Sequence, residues 1–435
     1  MKTPIIDFIN DYKGKKPLRL HTPGHKGFVF CGHEEDDITE IPGADELFSP
    51  DGIIELSQKN VSRLFGVPTY YSTEGSSLCV RAMVFLLCQR LGRQARILAA
   101  RNVHRSFITA AALTGADVIW QRPLPSDTVV SVTVDPVKVE EQIIRDKPDA
   151  VYITTPDYLG KTADVAAVAA VCHRHGVYLL VDCAHGAYLH FLPEPSDPLI
   201  LGADVCCTSA HKTLPALTGA AYLHTAEFSR EEVLSAMAAF ASTSPSYLIL
   251  QSLDGLNRYL CTYRQRLRRF IPEVDNVKAS LAAKGYVPYG DEPMKITLRT
   301  SMSGLTGYET QSRLIEKNIY PEYADRDFIT FLPNPQTGVR GLRRLSSVLC
   351  GFELSDPLEQ ERFAAVLPRR AMSIRDAFFA KKTVLPVSQC EGRIAGDVCV
   401  SCPPAVSPVV CGEVIDGETA EYLRSHGVKS ISVIT

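Results

Sequence analysis

The chain has 435 residues, of which 45% are hydrophobic and 22% charged, and its formal net charge is −3 at pH 7. These values exclude a disordered, collagen-like or coiled-coil protein, and no run of like charges marks a nucleic-acid binder, so we expect a small-molecule partner. The N-terminus lacks a signal peptide's apolar stretch, and no apolar run approaches the roughly 20 residues of a membrane span. We therefore expect no membrane contact and a cytoplasmic location, in which the 13 cysteines are reduced.

The first 50 residues combine one helical pattern with a segment rich in Gly, Pro and His, which predicts an N-terminal helix followed by an irregular arm. Beyond them, helical patterns alternate with short apolar runs bounded by Gly, Pro or Asp, which are typical of strands buried on both faces. The predicted helices include 53–65 and 77–91, and the predicted strands are 96–99, 117–120, 150–154, 177–181 and 204–207. This order indicates a mostly parallel sheet wrapped by helices.

The last third of the chain has a different pattern. A long polar helix is predicted over about 255–283, and residues 294–298 alternate like a strand with one exposed face. We therefore expect an N-terminal helix and arm over 1–50, a large α/β domain over 51–270, and a smaller C-terminal α+β domain over 271–435.

Residues at the carboxyl ends of the predicted strands form a candidate site, because ligands of open α/β sheets bind there. Asp182 follows one strand, and Lys212 comes 30 positions later, in a hydroxyl-rich loop after the next strand. A lysine amine, a carboxylate and a phosphate site are the groups that pyridoxal 5′-phosphate requires. The sequence therefore predicts this cofactor, with Lys212 for its aldehyde and Asp182 for its ring nitrogen.

Further residues fit the same cofactor. Gly75, Ser76 and Ser77 precede an apolar helix, whose first backbone N–H groups favour a phosphate. Ser209 and His211 add hydrogen-bond donors. His104 follows strand 96–99, and we expect its ring to lie flat on the cofactor, with Ala184 on the other face.

The motifs also occur in a recognisable order: Thr22-Pro23-Gly24-His25-Lys26, Gly43-Ala44-Asp45-Glu46-Leu47, Gly75-Ser76-Ser77, Arg101-Asn102-Val103-His104, Asp182-x-Ala184-His185-Gly186, Ser209-x-His211-Lys212-Thr213 and Thr243-Ser244-Pro245-Ser246-Tyr247. Together with closing segments around Arg393 and Gly412-Glu413, they resemble the Orn/Lys/Arg decarboxylase family of fold-type I pyridoxal-phosphate enzymes. The resemblance covers most of the chain and corresponds to the short form, without the N-terminal wing domain.

The resemblance implies a three-layer α/β/α fold of the pyridoxal-phosphate-dependent transferase type with a smaller C-terminal α+β domain. It implies decarboxylation of a basic amino acid, giving an amine and carbon dioxide, as in polyamine synthesis. The implied cofactor residues are Lys212, Asp182, His104, Ala184, His185, Gly75, Ser76, Ser77, Ser209 and His211, with Thr243 and Ser244 reaching the phosphate of a neighbouring subunit in a homodimer. Lys212 or His211 is expected to return the proton to the α-carbon.

A basic substrate needs an acidic partner for its distal cation. The candidates are Asp45, Glu46, Asp51, Glu322 and Asp325, of which Glu322 is preferred because its segment resembles a family stretch near the substrate. Asp51 is interpreted as a solvated surface charge.

Some positions depart from the family pattern and leave other functions open. Cys183, Glu74 and Asp157 stand where the family usually has Glu, Asn and Thr, so a non-catalytic relative that binds the cofactor is one alternative. An aminotransferase or lyase is another, in which Arg393 clamps the substrate carboxylate. Cys399-x-x-Cys402, between Cys390 and Cys411, has zinc-knuckle spacing but lies in a strand-like run, and we expect no metal there.

Overall fold

The structure is a computed structural model that describes residues 1–122, 128, 130–359, 367–397, 407–425 and 427–435. The chain forms two compact units. Unit 1 comprises Met1–Met83, Asp182–Lys284 and Leu332–Phe352, and unit 2 comprises Val84–Val181, Gly285–Phe331 and Glu353–Thr435. Each unit is assembled from separate stretches of the chain, and the predicted domain boundaries after residues 50 and 270 stay predictions.

The helices of the described residues begin at the N-terminus and recur throughout the chain. They are α1 (Pro4–Gly14), α2 (Ile53–Phe65), α3 (Gly75–Leu91), α4 (Arg105–Thr114), α5 (Pro136–Asp146), α6 (Val165–Arg174), α7 (Ala210–Thr213), α8 (Arg230–Ala238), α9 (Tyr247–Leu260), α10 (Tyr263–Lys284), α11 (Gly307–Ile315), α12 (Gly338–Cys350), α13 (Ile374–Phe379) and α14 (Gly417–Ser425). Short 3₁₀ turns occur at Leu189–Phe191, Thr300–Ser303 and Val387–Gln389. Within the described residues, no helix is both long and apolar enough to cross a bilayer.

The strands form one large sheet and two small ones. They are β1 (Thr69–Ser72), β2 (Arg96–Ala99), β3 (Asp117–Trp120), β4 (Ala150–Thr154), β5 (Tyr178–Asp182), β6 (Val205–Thr208), β7 (Ala221–Thr225), β8 (Pro288–Tyr289), β9 (Ile296–Arg299), β10 (Tyr323–Ala324), β11 (Phe328–Phe331), β12 (Lys382–Pro386) and β13 (Ser430–Ile434). The large sheet has the order β1-β7-β6-β5-β4-β2-β3, and the small sheets have the orders β10-β11-β9-β8 and β12-β13.

The large sheet is mostly parallel. β2 pairs in parallel with both β3 and β4, whereas β7 pairs antiparallel with β6 and β1. Its central strands are short and almost wholly buried, as the apolar runs predicted, because helices cover both faces of such a sheet. The edge strand β3 is mostly half-buried. The predicted α/β class is confirmed.

The segment between α1 and α2 is irregular. After α1, the described chain has no helix or strand until α2 begins at Ile53. The start of α1 is held within unit 1 by Asp254 of α9, whose carboxylate accepts the backbone N–H groups of Ile5 at 3.0 Å and Ile6 at 3.1 Å. A carboxylate at a helix N-terminus satisfies donors that have no partner inside the helix.

One helix prediction was wrong. The predicted helix over 255–283 is two helices, α9 and α10, separated by Cys261 and Thr262. At the end of α9, the backbone N–H groups of Cys261 and Thr262 donate to the carbonyl oxygen of Tyr259. The carbonyl oxygen of Thr262 then accepts the N–H of Arg266 in α10. Both segments are helical in composition, so the pattern hides this break.

Candidate functional site

Asp182 is the last residue of β5 and lies in the interior of unit 1, where its side chain is 3% exposed. Its Oδ1 accepts the backbone N–H of Ala184 at 3.2 Å and the thiol of Cys207 at 3.6 Å. The backbone N–H of Cys183 in turn donates to the carbonyl of Cys207 at 2.9 Å. The carboxyl ends of β5 and β6 are therefore joined at the predicted carboxylate.

The thiols around Asp182 are neutral. Burial raises the pKa of Cys79 to about 12 and raises the pKa of Cys207 well above its ordinary range. A neutral thiol adds no negative charge beside a carboxylate, and it retains a proton to donate. Cys207 is therefore a hydrogen-bond donor to Asp182, a contact that the sequence did not predict.

Lys212 lies in the short helix α7, after β6. Its Nζ is 3.1 Å from Nε2 of His185, which is buried after β5. His211 precedes Lys212 in the chain, but Nδ1 of His211 lies 2.9 Å from the carbonyl oxygen of Ala220. The imidazole of His185 therefore contacts the amine of Lys212, the predicted nucleophile.

Two of the residues predicted for the phosphate, Ser76 and Ser209, are in contact at the N-terminus of α3. The hydroxyl of Ser209 donates to Oγ of Ser76 at 2.9 Å, and the N–H of Gly75 donates to the carbonyl of Gly219 at 2.7 Å. Gly219 has φ +97°, and a Cβ there would lie 2.8 Å from the carbonyl oxygen of Thr73. Only glycine allows this close approach, which brings the loop after α7 to the start of α3.

The segment that contains Thr243 and Ser244 is held by Glu74, one of the residues that depart from the family pattern. Oε1 of Glu74 accepts the backbone N–H of Ser242 at 2.7 Å. Thr243 and Ser244 themselves are exposed. Glu74 therefore connects the loop before α3 to the loop before α9, within unit 1.

Asp45, a predicted substrate residue, is engaged with the backbone of unit 1. Its two carboxylate oxygens accept N–H groups at 2.8 to 3.2 Å from Glu46, Asp51, Gly52, Ile54 and Glu55. These bonds satisfy free donors at the start of α2. Asp45 therefore caps the start of α2, a role that its position in the arm did not predict.

Unit 2 contains the other predicted residues. His104 is the N-cap of α4, and its ring accepts the N–H of Ser106 at 3.2 Å. Glu322 is exposed and accepts the hydroxyl of Tyr158 at 2.7 Å. Arg393 is exposed. Asp325 accepts the N–H groups of Asp327 and Phe328, which fixes the turn before β11.

Asp157, which departs from the family pattern, is buried after β4 in unit 2. It accepts the hydroxyl of Ser131 and the N–H of Lys161, and burial raises its pKa. The buried Nζ of Lys295 donates to the carbonyl oxygens of Asp157 at 2.8 Å and Tyr158 at 3.2 Å. This network fixes the loop that presents Tyr158 to Glu322.

No cluster of His, Cys, Asp or Glu suited to a metal ion is present in the part of the chain that the structure describes. Cys390 and Cys411 are buried free thiols. Cys399 and Cys402, the pair with zinc-knuckle spacing, lie outside the described residues.

A comparison with known families identifies the chain. Residues 3–285 match the sequence profile "Orn/Lys/Arg decarboxylase, major domain". The chain belongs to the Orn/Lys/Arg decarboxylase family. The match covers every predicted cofactor residue, from Gly75 to Ser244, and it confirms the resemblance carried by the motifs.

Relatives support this Orn/Lys/Arg decarboxylase assignment. The arginine decarboxylase of Bacillus subtilis (strain 168) is 28% identical over 463 aligned residues, which cover 97% of this chain and 93% of that protein. The arginine decarboxylase of Bacillus anthracis is also 28% identical, with 98% and 93% covered. A protein of this family is a decarboxylase of basic amino acids.

Solved structures share the fold of this Orn/Lys/Arg decarboxylase. Lysine decarboxylase A from Pseudomonas aeruginosa superposes with a TM-score of 0.83 at 17% identity, over 99% of this chain and 80% of that one. The constitutive lysine decarboxylase of E. coli gives 0.79 at 16% identity, over 100% and 82%. The predicted fold-type I architecture is confirmed.

The residues at the carboxyl ends of β5 and β6 fit pyridoxal phosphate, the cofactor generally used by this decarboxylase family. They combine a buried carboxylate, a lysine amine, serine hydroxyls and the N-terminus of the 17-residue helix α3. The buried hydroxyl of Thr213, next to Lys212, has no hydrogen-bond partner among the described residues. An unsatisfied buried hydroxyl beside this donor set is what a ligand with many acceptor oxygens would pair.

Proposed function

We propose that the chain is a pyridoxal-phosphate-dependent decarboxylase of arginine, lysine or ornithine that releases the amine and carbon dioxide. One observation carries the proposal: the amine of Lys212, the carboxylate of Asp182 and the Ser76–Ser209 pair lie together in unit 1, around the ends of adjacent strands. Family membership supplies the reaction class.

Lys212 and Asp182 have the two central tasks. Lys212 would supply the amine that holds the cofactor aldehyde, and the carboxylate of Asp182 would hold a proton on the ring nitrogen. The bound cofactor supplies an electron sink for the pair of electrons that remains on the α-carbon when carbon dioxide leaves. Because Asp182 is buried and aligned by Ala184 and Cys207, it provides a fixed negative charge at low dielectric, where it acts strongly.

The phosphate would be held at the start of α3. Ser76, Ser77 and Ser209 supply hydroxyls, Gly75 and its successors supply backbone N–H groups, and the helix dipole favours a dianion. His211, predicted to help here, stays a candidate. Thr243 and Ser244 are exposed on their own chain, which supports a role toward the phosphate of a second subunit in a homodimer.

His185 is proposed to share the proton-transfer role of Lys212. His185 contacts Nζ of Lys212, whereas His211 was the histidine favoured from sequence. A donor within hydrogen-bond distance of the amine is placed to hold or return a proton there. His104 and Ala184 are proposed to cover the two faces of the cofactor ring.

Glu322 is the proposed partner of the distal cation of the substrate. It is exposed, and the hydroxyl of Tyr158 fixes one carboxylate oxygen and leaves the other for a cation. Asp45 is less suited, because its carboxylate already accepts several backbone N–H groups. Arg393 is exposed and is kept as a candidate for the substrate carboxylate.

Reconstitution with the cofactor tests the proposal. Purified wild type, Lys212→Ala and the control Lys284→Ala, which changes an exposed lysine at the end of α10, are mixed with pyridoxal phosphate. They are then reduced with borohydride and mapped by peptide mass. We expect a new visible absorbance band and one modified peptide, at Lys212, in wild type and Lys284→Ala only. A wild type without the band, or the same modification in Lys212→Ala, would contradict the proposal.

A further inference from the structure

A buried ion pair in unit 2 joins Arg101, the second residue after β2, to Glu413 in the C-terminal segment. Nη1 and Nη2 of Arg101 donate to Oε1 and Oε2 of Glu413 at 2.7 and 2.6 Å. The two residues are 2% and 3% exposed and lie 312 positions apart in the chain. The geometry is bidentate, which fixes the direction of both side chains.

The guanidinium of Arg101 has two further contacts. Its Nε donates to the carbonyl oxygen of Ser407 at 2.8 Å, and its Cζ lies 4.7 Å from the ring centroid of Trp120 in β3. Arginine suits this position because its planar guanidinium can stack on an aromatic ring and donate two parallel hydrogen bonds to a carboxylate at the same time, which a lysine amine cannot do.

The C-terminal side of the pair is itself well fixed. Oε2 of Glu413 also accepts the N–H of Val410 at 2.8 Å, and the backbone of Glu413 bonds to Ala395 at 2.8 Å. The preceding Gly412 has φ +93°, and a Cβ there would lie 2.7 Å from the carbonyl oxygen of Met372. Glu413 therefore projects into the pair from a segment with little freedom to move.

A buried ion pair is a poor source of net stability, since the loss of hydration offsets most of the attraction between the charges. Its more useful property is directional. Arg101 is separated by only Asn102 and Val103, both buried, from His104, which begins α4. Whatever holds Arg101 also limits where the ring of His104 lies.

We propose that Arg101 is a positioning residue that uses Glu413 and Trp120 to hold the loop 101–104, and thereby orients His104 for the cofactor. The C-terminal segment thus fixes the loop before α4 through this one arginine. The inference rests on the proposed function, because it takes His104 as the residue that stacks on the ring.

The test removes the pair without leaving a lone buried charge. The variant Arg101→Met with Glu413→Gln is compared with Arg370→Met with Asp117→Asn, which removes a pair of 2.6 Å between the same C-terminal region and the start of β3. Fluorescence of Trp120, the sole tryptophan of the chain, verifies that the stacked arginine is gone. The readouts are the dissociation constant of pyridoxal phosphate, its absorbance spectrum, kcat and KM.

We expect the first variant to bind the cofactor about tenfold more weakly and to lose about tenfold in kcat, with KM for the amino acid changed less than about twofold. The control variant keeps all four values. Unchanged affinity, spectrum and kcat in the first variant would overturn the inference.

Arg101→Lys is the second variant, which keeps the buried charge and decides the matter if the first variant does not fold. It is measured alone and in a His104→Ala background. If Arg101 acts through His104, the loss of affinity caused by Arg101→Lys disappears in that background. Equal losses in both backgrounds would overturn the inference. Failure of the proposed function itself looks different, because wild type would then neither bind the cofactor at Lys212 nor release carbon dioxide.

Discussion

Nζ of Lys212 lies 3.1 Å from Nε2 of His185, although the two residues are 27 positions apart. They follow the neighbouring strands β5 and β6, whose carboxyl ends meet at one edge of the sheet. The amine proposed to hold the cofactor is thus already hydrogen-bonded to an imidazole, and this contact is the basis of the first prediction.

His185→Gln is predicted to lower kcat by about 100-fold with a small change in KM, because glutamine keeps a polar group near Lys212 but does not titrate. His211→Gln is the matched comparison and is predicted to lose less, since its Nδ1 is occupied by the carbonyl of Ala220. Steady-state kinetics of both variants check this. A larger loss of kcat in His211→Gln would return the proton role to the histidine favoured from sequence.

Ser76→Ala and Ser209→Ala are each predicted to weaken the binding of pyridoxal phosphate about tenfold, the value of one hydrogen bond to a charged group. Equilibrium titration of the cofactor-free protein measures the change. Ser235→Ala, on the exposed face of α8, is the control and is predicted to bind like wild type. Two serine variants with unchanged affinity would place the phosphate elsewhere.

The fold was largely predictable because its strands are short apolar runs with clear boundaries. The strands at 96–99, 117–120 and 150–154 have the predicted bounds, and the two that carry the site begin and end one residue later than predicted. β1 and β7 were not predicted. Their sequences, Thr69–Ser72 and Ala221–Thr225, mix polar and aromatic residues, although both strands are wholly buried in the structure and pair antiparallel with each other.

The sequence predicted candidate site residues but none of the contacts that their side chains make. Position at a strand end singles out Asp182 and Lys212, whereas the neighbours of each side chain depend on tertiary structure. The thiol of Cys207 on Asp182 and the imidazole of His185 on Lys212 have no signal in the sequence. The backbone bonds of Asp45 depend on the path of the arm, which no periodicity describes.

Glu322→Gln is predicted to raise KM for the basic amino acid about tenfold or more while kcat changes little, because it removes the charge proposed to pair with the distal cation. Tyr158→Phe, which removes the hydroxyl that holds Glu322, is predicted to give a smaller rise in KM. Glu316→Gln changes an exposed acid six positions earlier in the chain and is the control. Equal KM values in all three variants would exclude Glu322 from the substrate site.

Glu292 predicts a pH dependence of stability. Burial raises the pKa of Glu292 to about 7, and Lys295 offsets part of the rise. The folded protein therefore keeps a proton that the unfolded chain releases, so the free energy of unfolding falls by up to about 3 kcal/mol as the pH rises from the unfolded pKa to the folded one.

Glu292→Gln removes this contribution. In denaturant titrations, the free energy of unfolding of the variant minus that of wild type is predicted to be about 2 to 3 kcal/mol larger at pH 8 than at pH 5, because only wild type loses stability as the pH rises. Glu309→Gln is the control of opposite sign, because the N–H and hydroxyl of Thr306 lower the pKa of Glu309. A difference between Glu292→Gln and wild type that is independent of pH would contradict the prediction.

The most direct measurement is the release of carbon dioxide from arginine, lysine and ornithine labelled in the α-carboxyl group, with wild type and Lys212→Ala loaded with pyridoxal phosphate. The account predicts labelled carbon dioxide and the corresponding amine from at least one of the three with wild type, and none above the uncatalysed rate with Lys212→Ala. A keto acid in place of carbon dioxide, or cofactor bound at Lys212 without turnover of any of the three, would contradict it.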